Sequence, residues 1–329
     1  MTLQGLRFAG TGSFAPAKIL TNDDLSKIVD TTDEWIVTRT GIRERHIAGP
    51  EETTSFMAAE AARRALESAG WEAASLNLII VATLTPDKPF PNTASLVQAR
   101  IGASGAACFS LEAACTGFVY GLEVAAGMIR SGLVQRALVI GAEKLSSIVN
   151  WSDRNTCVLF GDGAGAVCLE ACPDADNAYL GSSLGSDGNF HDLLHTPIGG
   201  CAQPLTAENA NDPRRYLVME GKQVFNVAVR SMVSAAERAL AKAGLAGTDL
   251  DLLIPHQANL RIIEAIAERV STPRDRVYVN LDRYGNTSAA SIPIAFDEAV
   301  RSGRVKRGDK ILFVGFGGGF TYGASVVRY

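Results

Sequence analysis

The sequence predicts an α/β protein of two similar halves related by a pseudo-twofold axis. Three observations carry that prediction. Residues 61–80 (AARRALESAGWEAASLNLII) and 235–254 (AAERALAKAGLAGTDLDLLI) match at ten of twenty positions, at an offset of 174. The same offset sets Ala137–Gly141 (ALVIG) against Ile311–Gly315 (ILFVG). Strand-like apolar runs alternate with helix-period segments in both copies, the pattern of βαβ units with parallel pairing. The halves expected are 1–174 and 175–329. A solenoid is excluded, because its repeats run to roughly 20–50 residues. In proteins built this way, sites tend to lie at the seam.

The elements follow in order. Ser55–Ala69 has amphipathic helical spacing and stops at Gly70. A buried strand, Leu78–Thr83, comes next. Residues from about Ala106 read as a strand leading into an apolar helix, Thr116–Arg130, and then the strand Ala137–Gly141. FGDGAGA, residues 160–166, reads as closely packed strand backbone with Asp162 hydrogen-bonded. Residues 181–221 are rich in Gly, Pro, Asn and Asp without a period, which predicts a long connection or inserted loop. The second copy repeats the helix, a stop at Gly244 and a strand, Leu250–Ile254.

Composition narrows the function. With 47% hydrophobic and 20% charged residues, the chain has a globular composition and is not disordered. A net charge of −4 argues against a nucleic-acid binder. No apolar run is long enough for a membrane span, and MTLQGLRFAGTGS lacks the charged and apolar regions of a signal peptide. The six cysteines (108, 115, 157, 168, 172, 201) form no CxxC pair, so neither a disulfide framework nor a metal site is expected. His191 and His195 stand four apart, but with no Glu at the metalloprotease position they make a poor metal pair. The expected location is cytoplasmic.

Four places can carry chemistry. Cys115 falls where a strand turns into the N-terminus of an apolar helix, whose dipole favours a thiolate; a space-filling cysteine fits the same place. His256 follows a strand end directly, where α/β proteins place functional groups, although a packed histidine fits as well. Asn286 lies among small residues before a helix; its amide suits an enolate or oxyanion, or simply a helix cap. Gly317, Gly318 and Gly319 can bring bare N–H groups to a carbonyl or form a tight turn. Two rival readings fail. Gly181–Gly185 matches GxSxG, but no helix follows its serine. The order Cys115, His256, Asn286 is that of papain-like proteases, but their cysteine signature is missing.

Taken together, AACTGF around Cys115, PHQANLRI around His256, GNTSAASIP around Asn286, FGGGFT at 316–321 and DTTDEWIVTRTGIRERHIA at 30–48 resemble β-ketoacyl-acyl carrier protein synthase III. The resemblance runs from about residue 5 to the C-terminus. It implies a thiolase-like fold, with the two halves in a five-layered α-β-α-β-α arrangement, and a homodimer. It also implies that Cys115 is acylated by an acyl-CoA, usually acetyl-CoA. Malonyl-acyl carrier protein then loses CO₂, and its enolate, held by His256 and Asn286, attacks the acyl group. Cys115 and Gly318 supply the oxyanion hole, and no metal or redox cofactor is needed.

For CoA, the resemblance points to Trp35 against the adenine, Arg39 and Arg154 near the nucleotide, and Asn259 on the pantetheine side. Phe90 would limit the acyl pocket from the partner subunit, with Phe316 beside the nucleophile. Arg261 and Arg269 match basic positions for the carrier protein. Three residues depart from the pattern: Ser110 stands where many members have Asp, and Asn226 and Glu268 where some have Lys. They leave room for the alternative of a starter enzyme in a specialised pathway.

Overall fold

A computed structural model of the protein describes residues 4–329, so the first three residues of the expected N-terminal half lie outside the described residues. The N-terminal strands are β1 (Gly5–Phe14), β2 (Leu78–Ala82), β3 (Ala107–Leu111), β4 (Arg136–Lys144) and β5 (Asp162–Cys172). They form one sheet in the order β1-β5-β4-β2-β3. The C-terminal strands are β6 (Tyr179–Ser186), β7 (Leu252–Pro255), β8 (Lys310–Phe316) and β9 (Thr321–Arg328). They form a second sheet in the order β6-β9-β8-β7, which repeats the first four positions of the other. Of the strands in these two sheets, β3, at an edge of the first, has no counterpart.

Pairing differs from the expectation. β2 is parallel to β3 and β4, and β7 to β8. The remaining pairs, β4–β5, β5–β1, β8–β9 and β9–β6, are antiparallel. Helices cross over between the parallel strands, whereas β8 reaches β9 through a short turn, which reverses the chain. The predicted loop at 181–221 also needs correction. Its first residues belong to β6, whose serines and glycines pack closely on a helix despite their turn-like composition.

The helices set the layers. α1 (Asp33–Thr40) stands near the site. α2 (Thr54–Ala69) and α3 (Thr93–Ile101) cover the outer face of the first sheet. α4 (Gly117–Arg130) lies between the sheets, as does α7 (Ser291–Arg301). α5 (Gly221–Ala243) and α6 (Leu260–Arg269) cover the second sheet from outside. The result is five layers, α-β-α-β-α. α2 and α5 end at Gly70 and Gly244, both left-handed, as their repeated stop signals predict. α4 is apolar on nearly every side (Phe118, Val119, Leu122, Ala125 and Ile129 are all buried) because it has a sheet on both faces. No described helix is long and apolar enough to cross a membrane.

Candidate active site

Cys115 sits at the head of the central layer. After β3 the chain makes a short turn, Ala114–Thr116, and enters α4. Ala114 is left-handed at φ 45°, with its N–H donating to Glu112 Oε1 at 2.8 Å. The pseudo-twofold repeats this turn before α7: Ser288, 174 residues after Ala114, has φ 49°. Ala289 then holds the place of Cys115. One half carries the thiol and the other carries a methyl.

The two halves are bound together around the thiol. Thr321 Oγ1 donates to the Ala113 carbonyl at 2.8 Å, and Thr116 Oγ1 to the Thr321 carbonyl at 3.1 Å. A Cβ on Gly317 would stand 2.5 Å from the Cys115 nitrogen, so only glycine lets β8 end so close to the nucleophile. Burial corrects one expectation. The helix N-terminus favours a thiolate, but Cys115 is 7% exposed, and loss of solvent pushes its thiol up to about 12. Hydrogen bonding by Ser288 opposes that rise, and the nearby Glu143 adds to it.

His256 follows β7 directly. Its backbone N–H donates to the Val314 carbonyl at 2.8 Å, and its Nδ1 lies 2.7 Å from Ser291 Oγ. That contact leaves Nε2 as the ring nitrogen free for a ligand. Burial pushes the imidazole down to about 3, so it is neutral at physiological pH. Asn286 is held on both sides of its backbone: its N–H donates to the Leu159 carbonyl at 2.8 Å, and its carbonyl accepts from Gly161 at 3.0 Å. Its Oδ1 accepts from the Ser288 N–H at 2.8 Å, which leaves the amide N–H groups as the free end.

These residues share one cavity of about 1080 Å³, lined also by Phe316, Gly318, Trp35, Arg39 and Asn259. Cys115, His256 and Asn286 form its buried end and Arg39 its exposed end. The Arg39 guanidinium lies 4.5 Å from the Trp35 ring centroid. Arg154 does not line the cavity but approaches the same ring at 5.2 Å and donates to the Asp30 carbonyl. Asn259 is committed locally: Oδ1 caps α6 through Arg261 N–H, and Nδ2 donates to the Arg39 carbonyl at 3.1 Å. Arg261 donates to the Thr38 carbonyl at 3.1 Å, so it braces α1 as well as facing solvent. Arg269 is exposed near the end of α6, and Phe90, 86% exposed, lies outside this chain's cavity.

Sequence reasoning missed Ser288, Ser291 and Glu143. The first two hide in a run of small residues, and Glu143 reads as the polar end of ALVIGAEK. The departure at Ser110 is mild: its Oγ accepts the Ala94 N–H at the start of α3 at 3.2 Å, a service an Asp also performs.

Two copies of one mixed α/β unit, joined through a shared helix layer with a cysteine at the head of one of its helices, define a thiolase-fold protein. The comparisons give the particular family. Residues 109–188 match the family model for 3-oxoacyl-[acyl-carrier-protein] synthase III, and residues 240–329 match that for its C-terminal part. The chain is 54% identical over 323 residues to the beta-ketoacyl-[acyl-carrier-protein] synthase III of Xanthomonas campestris, covering 98% of each chain. It is 52% identical over 320 residues to that of Caldanaerobacter subterraneus, covering 97% of this chain and 96% of the other. The crystal structure of the Aquifex aeolicus 3-oxoacyl-[acyl-carrier-protein] synthase III superposes with a TM-score of 0.92 at 50% identity, covering 99% of this chain and all of that one. The chain belongs to the β-ketoacyl-acyl carrier protein synthase III family.

Proposed function

We propose that this acyltransferase starts fatty acid synthesis by moving an acyl group, acetyl first among them, from CoA to Cys115 and then onto malonyl-acyl carrier protein. The observation that carries this reading is the shared cavity. A buried thiol at a helix N-terminus meets one neutral imidazole and one amide, within a chain of this family.

In the first half-reaction the Cys115 sulfur attacks the thioester carbonyl. The oxyanion faces the N–H groups of Cys115 and Gly318, and CoA leaves. In the second, malonyl-acyl carrier protein loses CO₂, and its thioester oxygen becomes an enolate. His256 Nε2–H and the Asn286 amide donate to that oxygen; neither needs to change charge. The enolate carbon attacks the acyl-enzyme, releasing 3-ketoacyl-acyl carrier protein. Covalent catalysis splits one difficult transfer into two easier ones. The chemistry asks for no metal or redox cofactor.

Trp35, Arg39 and Arg154 group at the exposed end and suit an adenine nucleotide, by stacking and by charge. Phe316 borders the acyl group, and Arg269 with Arg261 offers the acidic carrier protein a basic surface. The reading includes a cytoplasmic homodimer. The edge strand β3 leaves one hydrogen-bonding side open, and the exposed Phe90 needs a cover, which a second copy supplies while bringing Phe90 to the partner's acyl pocket. No observation favours a specialised starter role.

Incubation with radiolabelled acetyl-CoA, then with malonyl-acyl carrier protein, tests the reading. It requires label on Cys115 that the second substrate chases into a 3-ketoacyl product. Label on another cysteine, or no chase, overturns it. Sedimentation of active enzyme as a monomer overturns the dimer.

A further inference from the structure

Glu143 stands at the end of β4, wholly buried, and takes no part in the steps above. Its Oε2 accepts from Thr85 Oγ1 at 2.6 Å and Thr83 Oγ1 at 3.2 Å. The Leu84 N–H reaches both oxygens, at 3.2 and 3.3 Å. Oε1 also accepts from Ser288 Oγ at 3.1 Å, across the seam from the second half. Among the described residues no cation lies within ion-pair distance. The neighbouring Lys144 turns its ammonium to the Gly49 carbonyl instead. An acid buried among neutral donors alone is a costly way to hold two halves together.

The donor from the second half leads directly to the reactive amide. Ser288 donates through its hydroxyl to Glu143 and through its backbone N–H to Asn286 Oδ1, the latter at 2.8 Å. Ser288 is left-handed without being a glycine, at φ 49°, a conformation that persists only where the surroundings hold it. Glu143 grips the side chain of that residue and so steadies the direction of its N–H. With Oδ1 held, the Nδ2–H groups of Asn286 are the end left for the cavity that this residue lines.

The internal repeat supplies a control. At the offset of 174, Asn286 corresponds to Glu112, Ser288 to Ala114 and Glu143 to Gly317. The same turn recurs there. Ala114 is left-handed at φ 45°, and its N–H donates to the side chain two residues back, Glu112 Oε1, at 2.8 Å. In that copy a methyl takes the place of the hydroxyl, and a glycine that of the buried acid. The turn therefore forms without either. The acid and the hydroxyl occur in the copy where the side chain two residues back is Asn286, which has a donor to offer.

We propose that Glu143 is a positioning residue for condensation, holding the Asn286 amide toward the enolate oxygen through Ser288. The inference rests on Asn286 being the enolate donor, as above. Glu143 touches no substrate and transfers no proton in this role. Thr83, Leu84 and Thr85, on the segment that leaves β2, fix the carboxylate; the carboxylate fixes Ser288, and Ser288 fixes Asn286. A neutral donor stabilises a developing oxyanion best when it is aligned before the charge forms. Acylation of Cys115 does not use Asn286, so the two half-reactions separate this role from general support of the fold.

Two single-turnover measurements test the proposal: acylation of Cys115 by radiolabelled acetyl-CoA, and chase of that label by malonyl-acyl carrier protein. Ser288→Ala installs the residue that the other copy already carries in this turn. It is expected to acylate near the wild-type rate and to chase on the order of tenfold more slowly. Glu143→Gln is expected to do the same, with the double variant no slower than the slower single one. In an Asn286→Ala background neither change slows the chase further, because no amide remains to be positioned. Equal losses in both half-reactions, or a loss that adds in full to that of Asn286→Ala, overturn the proposal. So does a wild-type chase in Ser288→Ala, the variant that decides the matter if Glu143→Gln does not fold. A wild-type chase in Asn286→Ala alone overturns instead the assignment of the enolate donor.

Discussion

The Nδ1 atom of His256 lies 2.7 Å from Oγ of Ser291 at the start of α7, and this contact sets which ring nitrogen carries the proton. The Gln257 N–H points at the same oxygen from 3.4 Å. When the Ser291 hydroxyl donates to Nδ1, Nε2 carries the hydrogen, as the proposed role of His256 as a donor to the enolate requires. Ser291→Ala removes that preference at the cost of one hydrogen bond, about 1 kcal/mol. Decarboxylation of malonyl-acyl carrier protein is expected to fall several-fold while Cys115 acylation stays near wild type. An equal fall in both steps places the effect in the packing of α7.

The same histidine makes stability depend on pH. Its folded value, about 3, lies below the ordinary 6.5, so the unfolded chain binds the proton first. The stabilisation is complete above pH 6.5 and drains as pH falls toward 3, at about 1.4 kcal/mol per unit. In urea titrations at pH 7.5, 5.5 and 4.5, wild type is expected to lose more than His256→Asn does. Parallel losses refute the assignment of a buried neutral imidazole.

Cys115→Ala is expected to abolish acyl transfer, with Cys115→Ser nearly as inactive. A hydroxyl is a much weaker nucleophile than a thiol at this position. Mass spectrometry after acetyl-CoA treatment reads the result: the acyl mass belongs on the peptide containing Cys115 and is absent from both variants.

Asn286→Ala and His256→Ala should impair decarboxylation more than transacylation, by roughly 10²–10³-fold for loss of one well-placed donor. Because Asn286 Oδ1 is fixed by the Ser288 N–H, Asn286→Asp keeps the acceptor but loses the donor, and should resemble Asn286→Ala. Normal condensation by either alanine variant removes that residue from the mechanism.

For carrier-protein docking, Arg269 is the cleaner probe. Arg261 holds the Thr38 carbonyl of α1, which also bears Trp35 and Arg39, so a charge reversal there disturbs both substrates. Arg269→Glu is expected to slow association of malonyl-acyl carrier protein several-fold at low salt, to fade as salt screens it, and to spare acetyl-CoA. A loss that persists in high salt shows that the effect is not electrostatic steering.

The sequence reveals a residue best when one local signal marks it. Cys115, His256 and Asn286 each sit where an element ends or begins, and the repeat makes the plan of two similar halves visible before any coordinates. Ser288, Ser291 and Glu143 carry no such signal. Glu143 and Ser288 meet across 145 residues of chain, and only the folded seam brings them together. The strand β6 was hidden by turn-like residues chosen for close packing on α5. Asn259 shows the converse: its motif points to the cavity, while its amide is already engaged in capping α6 and holding α1.

The repeat also divides labour between its copies. A Cβ on Gly141 would lie 2.1 Å from the Ala289 carbonyl, whereas one on the equivalent Gly315 would lie 3.5 Å from the Cys115 carbonyl. The Cys115 turn is held just as closely from its other side, where a Cβ on Gly317 would lie 2.5 Å from the Cys115 nitrogen. What separates the copies is access: Cys115 lines the cavity, whereas Ala289, 1% exposed, does not. A second thiol installed as Ala289→Cys would therefore sit outside the cavity, away from both substrates, and the enzyme would keep a single reactive centre despite its doubled architecture.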